Sequence, residues 1–173
     1  MPMSLYTATV PSCQQILKSV AGLIDRAEGY CTDKGLAPEE IIQARLAPDM
    51  LPFAYQVKST AVHSSGAIAG VRRGVFSPDR TPPPDNFAAL KACIGEAQAA
   101  LAALDQAELE SFFGREMRFE IGEYRLNFTA EEFLLSFSQP NFYFHAATAY
   151  DILRWKGVSV GKRDFLGAMR TMK

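Results

Sequence analysis

Apolar side chains at Val10, Cys13, Leu17, Val20, Ile24, Ala27 and Cys31 recur every three or four residues, the spacing that puts them on one face of a helix. With Lys18, Asp25, Arg26 and Glu28 left on the wet side, the pattern predicts a first helix over residues 10–30 that leaves through Asp33-Lys34-Gly35. Pro38 suits a first helical turn and introduces a short helix over 38–44. Residues 45–52 form a corner, because Pro48 and Pro52 oppose helical continuation. Phe53, Val57, Ala61, Ser64 and Ile68 mark the buried stripe of a second long helix. Residues 70–86, with Pro78, Pro82, Pro83 and Pro84, read as a surface loop. Asp85 or Asn86 caps a third long helix with Phe87, Leu90, Ile94, Ala97, Leu101 and Leu104 inward, and Asp105 opens a short turn running to Phe113.

The period then changes from helical to alternating. Met117, Phe119 and Ile121 alternate with Arg118 and Glu120, and Tyr124, Leu126 and Phe128 alternate with Arg125 and Asn127. With Gly122-Glu123 between them, the two runs predict a small hairpin half-buried against the helices. Thr129-Ala130-Glu131-Glu132 is a helix-start signal, Thr129 capping and Glu132 returning the bond. A last long helix should run over 130–156, bent at Pro140, with Phe133, Phe137, Phe144, Thr148, Ile152 and Trp155 among its inward candidates. Residues 158–167 read as an extended tail. The fold expected is all-α, a four-helix bundle with a small β-hairpin before the last long helix, in a single domain over residues 1–173.

Composition narrows the function classes. The formal charge is -1, from 18 basic and 19 acidic side chains, and no long basic tract exists, which argues against nucleic-acid binding. Cys13, Cys31 and Cys93 are widely spaced and include no Cys-x-x-Cys pair, so small buried thiols are expected and a disulfide framework is not. Neither a secretory signal nor a run of 18 apolar residues occurs, so no membrane partner is expected and the cytoplasm is the expected location. Gly157-Val158-Ser159-Val160-Gly161-Lys162 lacks the spacing and the Ser/Thr of a phosphate loop. Glu39-Glu40, Glu108-Glu110 and Glu131-Glu132 read as helix-start and surface acids, and Arg72-Arg73 as solubilising charges.

Two histidines carry the candidate chemistry. Asn141 lies one turn before His145, just after Pro140, among Phe142, Tyr143 and Phe144. The two side chains either hold a ligand or metal, or only satisfy one another or a buried backbone group. On the second helix Gln56 and His63 are seven residues apart, and Asp49, another seven back, joins their row if the helix begins early. His63 precedes Ser64-Ser65-Gly66 and is read as a surface or core-edge residue. The expectation is a shared cavity holding Asn141, His145 and a residue of the 49–56 stretch.

Several stretches resemble a bacterial family, domain-of-unknown-function 1993, within the DinB/YfiT-like superfamily. They are Ser4-Leu5-Tyr6 with Val10-Pro11, residues 44–52, Pro140 to His145, Thr148-Ala149-Tyr150, Ile152-Leu153-Arg154, and Gly157-Val158 with residues 161–167. The resemblance implies an up-down-down-up four-helix bundle, often a homodimer. It also implies a superfamily site of three histidines, one from the second helix and an H-x-x-x-H pair from the fourth. His145 matches the later member of that pair, whereas Asn141 occupies the earlier one. Asp49 or Gln56 stands where the second-helix histidine would be, and the sequence does not choose between them. The implied metal site is therefore degenerate, with His145 and Asp49 as its candidate ligands and Gln56, Asn141, His145 and Asp49 as the pocket. Zinc or nickel is expected to bind weakly or not at all. The expectation is a small-molecule-binding domain, with a metal-assisted, thiol-dependent transferase or hydrolase and a structural dimerisation domain as alternatives.

Overall fold

A computed structural model describes residues 3–172. Helix α1 spans Leu5–Lys34, with Ser4 capping its start and Gly35 (φ 64°) ending it in the left-handed region. It begins five residues before the apolar stripe suggests, and a tertiary cap accounts for the difference. The free backbone N–H groups of Leu5 and Tyr6 donate to the Glu110 carboxylate at 3.1 and 2.8 Å. Glu110 is thus a helix cap as well as a surface acid. The short α2 covers Glu39–Ile42 and buries Ile41 and Ile42.

The predicted second long helix is two helices, α3 (Phe53–Val62) and α4 (Ser65–Arg73). The break has a local cause in Ser64, whose hydroxyl donates to the carbonyls of Thr60 (2.7 Å) and Ala61 (3.1 Å), competing with the helical ladder. Beyond α4, Val75–Phe76 form a short strand, β1, where the sequence reads as loop. Gly70 permits this: a Cβ there would meet the Phe76 side chain at 3.0 Å. Helix α5 (Phe87–Ala102) is capped by Asn86, and α6 (Gln106–Glu110) by Asp105.

The hairpin forms from β2 (Glu116–Ile121) and β3 (Tyr124–Thr129), with Phe119 opposite Leu126. β1 adds to β2 in parallel, giving a three-stranded sheet. Met117 and Phe119 are buried, while Ile121 and Tyr124, nearest the turn, are exposed. Backbone amides within the β2–β3 ladder should therefore exchange slowly with deuterated solvent. Rapid exchange throughout residues 117–128 in the folded protein would mean a loosely attached insertion.

Thr129 caps α7 (Ala130–Glu132), and the helix passes through a π-helical segment, Phe133–Ser138, into α8 (Gln139–Trp155). Pro140 cannot donate a backbone hydrogen bond to the preceding turn, and the widened turn lies directly before it. Phe133, Thr148 and Ile152 are buried and Phe137 packs against the core, but Phe144 and Trp155 are exposed. Those two continue the helical spacing on a side that no neighbour covers among the described residues. The tail is not wholly extended, since Lys162–Leu166 form a short helix, α9, packed on α1.

The four long elements close a ring, with α1 beside α5 and α8 and α3 also beside α5 and α8. Leu17, Val20 and Ile24 of α1, Phe53 and Val57 of α3, Leu90 and Ile94 of α5, and Phe142 and Ile152 of α8 fill its centre, with exposures of 0%. The result is a mostly helical bundle with a small antiparallel hairpin before the last long helix. Among the described residues no helix is long and apolar enough to cross a membrane.

Candidate functional site

A cleft of about 200 Å³ opens between α3 and α8 under β1 and β2. Its polar lining is His63, His145, Asn141, Tyr55, Lys58, Ser59 and Asp79, and its apolar walls include Phe76, Phe119 and Phe137. The two histidines, 82 positions apart by their numbers, stack with ring centroids 5.7 Å apart and planes 17° from parallel. His63 is there because Ser64 ends α3 immediately after it. His145 is there because α8 lies along α3.

Each imidazole is oriented from behind. Gln56, buried on α3, donates its amide nitrogen to the Leu51 carbonyl (2.8 Å), so its Oε1 faces Nδ1 of His145 at 2.7 Å. That oxygen can only accept, which places the proton on Nδ1 and leaves Nε2 with its lone pair. Ser138 donates to the backbone carbonyl of His63 (3.1 Å), so its oxygen is free to accept from Nδ1 of the same residue at 3.3 Å. His63 thereby takes the same tautomer. Among the described residues no buried side-chain nitrogen or oxygen lacks a partner. The two Nε2 atoms, which have no protein partner among the described residues, are therefore the ends that open to solvent.

Burial pushes both imidazoles down to about 4, and the neighbouring His145 lowers His63 further. Both rings are neutral bases at pH 7. Asn141 donates to the Phe137 carbonyl (2.7 Å) within the widened turn, which directs its amide nitrogen away and leaves Oδ1 as an acceptor. At the rim, Lys58 is nearly buried and its ammonium binds Thr81 O, Thr81 Oγ1 and Asp79 Oδ2 at 2.6, 2.7 and 2.9 Å. Asp79 also accepts from the backbone and hydroxyl of Thr81. The proline-rich loop is thus tied to α3 beside the histidines.

The geometry separates the residues expected from sequence. Gln56, Asn141 and His145 come together, with Gln56 acting through His145 as a backing residue. Asp49 lies exposed in the corner before α3 and is not part of the cleft lining. The sequence pattern reads His63 as a surface or core-edge residue and does not point to Lys58 or Asp79. The seven-residue step from Gln56 to His63 was the available signal for the former. A lone aspartate in a proline-rich loop carries none.

The donor set does not fit a strong zinc centre. It offers two imidazoles and one neutral amide oxygen, and the nearby carboxylate is committed to Lys58. Among the described residues no group of three or more His, Cys, Asp and Glu could hold a metal ion. Burial raises the Cys13 thiol to about 12 and also raises Cys31 and Cys93, so none of the three is an activated nucleophile.

The sequence profile described as "Domain of unknown function (DUF1993)" matches residues 5–166. A crystal structure of a DinB family member protein from Shewanella denitrificans is similar, with 27% identity and a TM-score of 0.79. The alignment covers 98% of this chain and 95% of that one. No curated protein matches the sequence.

Proposed function

The chain belongs to the DUF1993 family, and from that premise we propose that it is a small-molecule-binding domain whose ligand enters the α3–α8 cleft. One observation carries the reading: two neutral imidazoles, each fixed by a partner on Nδ1, present unshared Nε2 lone pairs to an open cleft. Packing histidines have no need of such alignment. A cleft lined by aromatic rings with a few convergent polar atoms is the usual form of a small-ligand site. The open polar cleft also weighs against a purely structural dimerisation domain. Homodimer formation and a cytoplasmic location remain part of the proposal.

Zinc or nickel binds here weakly or substoichiometrically, because His63, His145 and Asn141 supply no anionic ligand. Protein purified without an affinity tag or added metal should carry well under one equivalent of transition metal by elemental analysis. The His145→Ala variant should carry no more than background. One tightly held metal per chain, lost in His145→Ala, would instead support the metal-assisted transferase or hydrolase reading. That second reading draws on the same two lone pairs.

A further inference from the structure

The hydrogen-bond directions in the cleft determine more than its location. Gln56, pinned by Leu51, makes Nε2 of His145 an acceptor; Ser138 does the same for His63; the Phe137 carbonyl turns Asn141 so that Oδ1 is its free end. The two Nε2 atoms and Asn141 Oδ1 thus offer lone pairs, and the Tyr55 and Ser59 hydroxyls that also line the cleft can either donate or accept. The charged groups at the rim cancel. Lys58 has its three donors engaged by Thr81 and Asp79, and Asp79 is engaged by Lys58 and Thr81. An anionic ligand would meet three acceptors and, among the described residues, only the neutral Tyr55 and Ser59 hydroxyls as donors, with no free cation to offset its charge. A cationic ligand would enter a desolvated cleft with no uncommitted carboxylate, beside the Lys58 charge.

A neutral hydrogen-bond donor meets neither obstacle. The cleft volume of about 200 Å³ suits a body of one aromatic ring, since an engineered cavity of about 150 Å³ holds benzene. We propose that the cleft takes a neutral hydroxylated ligand of that size, a phenol in its simplest form. Its hydroxyl donates to Nε2 of His63 or His145 or to Oδ1 of Asn141, and its ring lies against Phe76, Phe119 and Phe137. The inference rests on the cleft being a small-molecule site and adds the class of molecule.

The test uses full-length protein with 15N-labelled histidine, observed by NMR through its ring nitrogens. In the free protein both rings should be Nδ1–H tautomers with unprotonated Nε2. An Nε2–H tautomer on either ring would overturn the inference without any ligand. Phenol, toluene, benzoate and benzylammonium are then titrated separately. Phenol should shift the His63 and His145 ring signals, with toluene, which keeps the shape and lacks the donor, about tenfold weaker or more. Benzoate and benzylammonium should also be weaker than phenol. If toluene, benzoate or benzylammonium moves the same signals as tightly as phenol, the cleft remains a ligand site and the donor argument fails. If none of the four moves them, the donor argument and the small-molecule reading both fail.

Discussion

Replacing Phe133 by alanine is expected to lower the unfolding free energy by about 3–5 kcal/mol, the range for emptying a fully buried phenylalanine site. Phe133 is 0% exposed and meets the rings of Phe76, Phe137 and Phe128 at 5.3, 5.5 and 6.0 Å. It therefore joins three parts of the molecule, the first strand, the hairpin and the widened turn that precedes α8. Truncation forfeits the transfer free energy of the ring and leaves a cavity between a sheet and a helix, neither of which can close it alone. Urea unfolding monitored by circular dichroism reads the loss as a lower midpoint at unchanged slope. Phe137→Ala should cost less, about 2 kcal/mol, because one side of that ring already faces the cleft. A loss below about 1 kcal/mol for Phe133→Ala would show that the aromatic cluster repacks and does not join the sheet to the bundle.

Acidification should weaken the fold before the ordinary carboxylates titrate. His63 and His145 fall from 6.5 to about 4 in the folded protein, chiefly through burial. The unfolded chain therefore binds more protons than the folded one between those values, and stability rises with pH across that window. The contribution is complete above pH 6.5, is lost as pH falls toward 4, and changes no further below that. Each ring accounts for about 1–2 kcal/mol after solvent screening is allowed for, so the pair removes about 2–4 kcal/mol. Denaturant unfolding at several pH values from 7 to 4 measures this directly. A His63→Gln/His145→Gln variant should lose most of the slope between pH 6.5 and 4. An equal slope in that variant would place the proton uptake elsewhere. Carboxylates such as Glu110 and Asp79, whose hydrogen bonds hold them below their ordinary values, act at lower pH.

Much of the fold could be read along the chain because its signals are local. The stripes of α1 and α5, the caps at Asn86, Asp105 and Thr129, and the alternation of β2 and β3 each depend on residues within a few positions of one another. Errors arose where a distant group supplied the missing partner. Glu110 lets α1 begin at Leu5, and β2 gives Val75–Phe76 a strand that two residues alone cannot signal. The break at Ser64 had a local cause, but a serine in an apolar stripe does not reveal whether its hydroxyl bonds to the preceding turn.

A helical bundle with a hairpin before the last long helix was legible along the chain, as were Asn141 and His145 as polar residues facing a second-helix partner, with Asp49 and Gln56 left as alternatives. Periodicity and capping encode those features directly. The packing of the helices, and not the pattern along the chain, leaves Asp49 outside the cleft, stacks His63 on His145 and sets Lys58 against the Asp79 loop at the rim. The reason is geometric: helical spacing assigns a side chain to a face, whereas the packing of α3 against α8 sets which faces meet and at what height. It also sets the tautomers, because the groups behind each imidazole, Gln56 with Leu51 and Ser138 with the His63 carbonyl, meet through that packing and the corner before α3.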